Sequence, residues 1–125
     1  MAEALKTKKT RTSRSFQAQQ PLLPIVKAWT KEAGFTIRVD EKQIYCEKGM
    51  GLMTAPIVVT LEETAGEVKF EAYLKVDMLS LLSSLFMAPE EMQLESGDGP
   101  LYLERKFGRD KVNPLLVKLG QPVIE

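Results

Sequence analysis

From Val68 to Val76 the chain alternates without a break: Val68, Phe70, Ala72, Leu74 and Val76 are apolar, and Lys69, Glu71, Tyr73 and Lys75 stand between them. Side chains of an extended chain point alternately to opposite faces, so the segment predicts a strand with one face buried and the other polar. Such strands belong to antiparallel sheets, because parallel sheets are covered on both faces and read as continuous apolar runs. At Asp77, placed as a helix N-cap, the period changes from two to about 3.6. Met78, Leu81, Leu82 and Leu85 then share one face and Ser80, Ser83 and Ser84 the other, which predicts a helix over 78–87 limited by Pro89.

The same reading places the other elements. Pro21 and Pro24 are tolerated in a first helical turn, Leu22, Ile25, Val26, Trp29 and Ala33 follow at helical spacing, and Gly34 stands where a left-handed C-terminal cap is needed, so a helix is expected over 21–33. Phe35, Ile37 and Val39 alternate up to the turn Asp40-Glu41-Lys42, and Gln43 to Lys48 forms the return strand of a hairpin. Ile57, Val59 and Leu61 alternate in a further strand that turns at Thr64-Ala65-Gly66 into the one described first. Met92 to Glu95 and Leu101 to Arg105 flank the turn-rich run Ser96-Gly97-Asp98-Gly99-Pro100 and read as a second hairpin. Asn113-Pro114 reads as a helix start and Gly120 to Pro122 as a stop, giving a short helix over 114–119.

The order helix, four strands, helix, two strands, helix contains no βαβ alternation, which disfavours doubly wound parallel folds. The expected fold is α+β: a mainly antiparallel sheet whose apolar face is covered by helices. With 44% hydrophobic and 27% charged residues the chain can bury a core, and its length suits one domain.

Residues 1–20 have no hydrophobic period. They are expected to form a disordered basic tail ahead of a single domain over 21–125. In the tail Lys6, Lys8, Lys9, Arg11 and Arg14 face only Glu3, a net +4 that leaves −4 for the rest of a formally neutral chain. Cations interleaved with threonine and serine suit a phosphate polyanion, since each neutralised phosphate releases a counterion. Arg105, Lys106, Arg109 and Lys111 form a second basic cluster that could extend such a surface, although Glu104 and Asp110 partly cancel it and a mixed-sign solvated face is the simpler reading.

The chain has no histidine and a single cysteine, Cys46. That removes the usual zinc, blue-copper and iron–sulfur ligand sets and every histidine-based triad, so no metal and no cofactor are expected. Cys46 alternates with Ile44 on a strand and reads as a small buried hydrophobe rather than a nucleophile. One thiol cannot close an internal disulfide, which favours a reducing compartment such as the cytoplasm, with organelle import as the alternative. The apolar-leaning run from Met78 to Pro89 is shorter than the roughly 20 residues that span a bilayer.

Three large apolar residues, Met50, Leu52 and Met53, sit in a glycine-containing connection between strands and suit an adaptable protein-binding loop, with Trp29 as a further anchor, although tucking over the core or the sheet end is the simpler reading of the loop. The expectation is therefore a non-enzymatic accessory or adaptor domain with a protein partner or a second copy of itself. Its tail would meet an anionic partner, including nucleic acid or, peripherally, an anionic membrane surface. An RNA- or DNA-associated protein using the tail and the 105–111 cluster is the alternative. An enzyme built without histidine or metal is the least favoured.

Overall fold

In the computed structural model the described residues are 11–49, 56–75, 91–96 and 102–125; the 78–87 helix expected from the sequence lies outside them. The elements are β1 (Thr12–Gln17), α1 (Leu22–Ala33), β2 (Thr36–Asp40), β3 (Gln43–Lys48), β4 (Ile57–Thr64), β5 (Glu67–Lys75), β6 (Glu91–Met92) and α2 (Tyr102–Lys118). The fold is α+β. The strands are antiparallel in the order β1-β5-β4-β3-β2, and the two-residue β6 extends the β1 side of β5 by pairing with Leu74 and Lys75.

Local chemistry explains the regular parts. Pro21 is the N-cap of α1 and Pro24 lies in its first turn, where a missing N–H has no helical partner to lose. At the other end Gly34 adopts φ 83°, and the N–H groups of Gly34 and Phe35 both donate to the Thr30 carbonyl at 2.9 Å. The β4–β5 hairpin turns on Ala65 and Gly66 with φ of 53° and 84°, the two positive values of the turn whose twist matches the flanking strands.

On one sheet face Ile44, Cys46, Ile57, Val59, Leu61, Val68, Phe70, Ala72 and Leu74 are buried beneath α1 and α2. Helix α1 contributes Leu22, Val26 and Trp29, and α2 contributes Val112, Leu115 and Leu116. Trp29 is 1% exposed, stacks on Phe35 with ring centroids 4.4 Å apart, and donates its indole N–H to the Lys111 carbonyl at 2.9 Å. This joins both helices and the start of the sheet. Pro114 lies inside α2 and cannot donate to Asp110; the carbonyl of Lys111 beside that opening is the one the indole meets.

Two expectations are corrected. The first concerns the part of the 1–20 tail that is described: residues 1–10 lie outside the described residues, and Thr12–Gln17 is an edge strand paired with β5 from Thr12↔Ala72 to Gln17↔Glu67. Its sequence, Thr-Ser-Arg-Ser-Phe-Gln, lacks an apolar face because the residue buried at its start is Thr12, whose hydroxyl accepts the Leu94 N–H at 3.0 Å. The second is the hairpin of Met92–Glu95 with Leu101–Arg105 and the short helix over 114–119: Glu91–Met92 pairs with β5 instead, and Tyr102–Lys118 is one continuous helix. The buried stripe of that helix begins with Arg105 and Gly108 and continues through Val112, Leu115 and Leu116, while Leu103 and Val117 face outward. Reading apolar residues alone therefore finds only its second half.

Between β1 and α2 runs the segment Gln93–Ser96, whose main chain is held by other elements. Thr12 receives the Leu94 N–H, Arg109 donates to the Leu94 carbonyl at 2.7 Å, and Arg105 donates to the Glu95 carbonyl at 2.9 Å. The Ser96 N–H and hydroxyl both donate to the Glu125 carbonyl oxygen, at 2.8 and 2.9 Å. Asn113 clasps Ile124 through its side-chain amide, accepting at 2.7 Å and donating at 3.0 Å, which returns the 121–125 segment along α2.

Gly108 makes room for this strap, since a Cβ there would stand 2.8 Å from Cδ2 of the fully buried Leu94. Gly108→Ala gains about 1 kcal/mol of helix propensity but overpacks a filled site at about 1–3 kcal/mol. A net loss of about 1 kcal/mol is expected as a lower urea midpoint, whereas an unchanged or higher midpoint would show that Leu94 moves freely.

Candidate functional site

The cations expected to form a polyanion surface are dispersed. Lys6, Lys8 and Lys9 lie outside the described residues, as do Met50, Leu52 and Met53 of the expected protein-binding loop. Arg11 pairs with Glu71 at 2.7 Å and lies 4.2 Å above the Tyr73 ring, on the sheet face opposite the helices. Arg14 projects from the other face of β1 toward the Val123 carbonyl at 3.4 Å.

The 105–111 cluster divides by helical geometry. Arg105 and Arg109 are one turn apart and both turn inward onto the strap, and Arg105 is 3% exposed. Lys106 pairs with Asp110 at 3.4 Å on the solvated side, and Lys111 sits 5.3 Å from the Phe107 ring centroid. Half the cluster is therefore used inside the fold, a division that spacing on a continuous helix would have revealed. Trp29, expected as an interface anchor, is instead at the centre of the core.

The sheet face opposite the helices carries two aromatic–cation stacks. Register aligns Ser13, Glu71, Thr60, Tyr45 and Arg38 across the strands in one row. Arg38 stacks on Tyr45 at 4.6 Å, and the Tyr45 hydroxyl donates to Glu47 Oε1 at 2.9 Å. Burial, followed by the hydrogen bond and charge of Glu47, pushes the Tyr45 hydroxyl up to about 12. Val58, Thr60 and Tyr73 on this face are buried, so it is only partly a solvated surface.

Cys46 is fully buried on the helix-covered face, and desolvation pushes its thiol up to about 12. A protonated, enclosed thiol is a poor nucleophile. Among the described residues no three Cys, Asp or Glu side chains gather in a way that could hold a metal, and no helix is long and apolar enough to cross a membrane.

What the sequence reading missed is an open depression of about 450 Å³ where the start of α1 meets the turns of the β2–β3 and β4–β5 hairpins. Pro21, Leu22, Leu23, Val39 and Ile44 supply its apolar lining, and Glu41, Lys42 and Glu63 its charged rim. Val39 is 47% exposed, more than any other apolar residue named in the sheet. The available signal was Val39 itself, an apolar residue placed against a turn at the end of a strand that the fold leaves at the sheet edge. Comparison of the chain with protein-family models, curated proteins and solved structures gave no match.

Proposed function

We propose that this protein is a non-enzymatic accessory or adaptor domain that binds a protein partner, with the basic N-terminal residues meeting an anionic partner in the cytoplasm. The observation that carries this reading is the depression beside α1. It has an apolar floor, a mixed-charge rim and a half-exposed Val39, the combination with which a protein surface accepts apolar side chains of another. The inward use of Arg105 and Arg109 shifts weight away from the nucleic-acid alternative. The buried thiol of Cys46 offers an enzyme no accessible nucleophile.

The test compares immobilised full-length protein with its Leu23→Lys variant, both checked for folding by circular dichroism. At least one protein is expected to bind the parent saturably, to bind again when purified, and to be lost from the variant. An identical set retained by both proteins would contradict the assignment of the depression as the binding surface.

A further inference from the structure

Strand β2 ends the sheet, and among the described residues nothing pairs with its outer edge. Its free main-chain groups can be identified. Glu63 N–H donates to the Lys42 carbonyl at 3.3 Å, so residues 42 and 44 on the β3 side address β4, and Gln43, Tyr45 and Glu47 address β2. Their partners Asp40, Arg38 and Thr36 are thereby hydrogen-bonded inward, and the N–H and C=O groups of Ile37 and Val39 face outward.

The side chains on this edge are self-complementary. Arg38 and Asp40 share the face opposite the helices, two residues apart and opposite in charge, while Val39 between them points to the helix-covered face. The Arg38 guanidinium carbon lies over the Tyr45 ring, 4.6 Å from its centroid, and Arg38 makes no salt bridge with a described residue. Asp40 makes no salt bridge with a described residue.

The geometry points to a second copy of this chain as the occupant of the β2 edge, in an antiparallel, two-fold pairing centred on Val39. In that register the two Val39 residues exchange a pair of main-chain hydrogen bonds, and their side chains cover one another. Arg38 of each copy lies opposite Asp40 of the other, giving two equivalent ion pairs. Centring one residue earlier would instead place guanidinium against guanidinium, and like charges directly opposite are unfavourable. Because Val39 also lines the depression, the two depressions adjoin across the axis as one apolar strip. The inference rests on reading this corner as a protein-binding surface and names the partner it takes.

Sedimentation velocity on purified full-length protein tests it. The parent is expected to dimerise with rising concentration. Arg38→Asp and Asp40→Arg, both at exposed positions, should each weaken dimerisation about tenfold, since each turns both ion pairs into repulsions. An equimolar mixture of the two variants should recover the parent's association, because each supplies the charge that the other lacks. A parent monomeric at every concentration would overturn the inference, with Arg38 and Asp40 then acting only as guards against edge pairing. A dimer equally strong in the parent and in each separate variant would place the interface elsewhere and also overturn it. Neither result would touch the adaptor reading, which is decided by partner loss from Leu23→Lys.

Discussion

Trp29→Ala is expected to lower the free energy of unfolding by about 3–5 kcal/mol, the range for deleting a large buried aromatic side chain. Most of this comes from lost burial: the indole is enclosed between α1, α2 and Phe35, and alanine would leave a cavity at the junction of three elements. A smaller part comes from the Lys111 carbonyl, which loses its donor. Trp29→Phe separates the two contributions, since it keeps an aromatic ring against Phe35 and removes the N–H. It should cost about 1–3 kcal/mol, the range for an unmade hydrogen bond in a buried setting. Urea denaturation of the three proteins checks the ranking. A Phe variant as unstable as the Ala variant would mean that the hydrogen bond, rather than the packing, dominates.

The second large effect concerns the two arginines that turn inward. In Arg105→Met with Arg109→Met the aliphatic stems persist while the carbonyls of Glu95 and Leu94 lose charge-assisted partners. At about 1.5–3 kcal/mol for each of the two hydrogen bonds, the double variant should lose about 3–6 kcal/mol and expose the Gln93–Ser96 strap to proteolysis. Affinity for a phosphate polyanion such as heparin, measured under conditions where the variant stays folded, should change little beyond the loss of net charge. Unchanged stability together with a collapse of polyanion binding would show that both guanidinium groups work at the surface.

These side chains also mark where sequence and structure part. The antiparallel sheet was legible because β5 alternates cleanly and because Gly34 and Ala65-Gly66 stand where left-handed backbone is required. The strand β1 was not legible, since its buried position is a threonine whose hydroxyl binds a main-chain N–H eighty-two residues away. The long α2 was misread for a related reason: its core-facing stripe opens with Arg105 and Gly108, an arginine that reaches carbonyls and a glycine that admits Leu94. Hydrophobic periodicity detects surfaces that exclude water by being apolar and passes over those that do so by satisfying main-chain polar groups. The candidate site was illegible on other grounds. It combines the start of one helix with two separate hairpin turns, and only the tertiary fold brings them together.

Folding takes in the chain from Arg11 onward, so that Arg11 and Arg14, read as part of a free tail, are held within the fold. Native-state hydrogen exchange on β1 distinguishes a paired strand from a free tail. Ala18 N–H donates to the Gly66 carbonyl at 2.8 Å, and strand alternation then directs the N–H groups of Arg14 and Phe16 toward β5 and those of Ser13, Ser15 and Gln17 away from it. Slow exchange is expected at Arg14, Phe16 and Ala18, alternating with fast exchange at the residues between them. Uniformly fast exchange from Arg11 through Gln20 would contradict it.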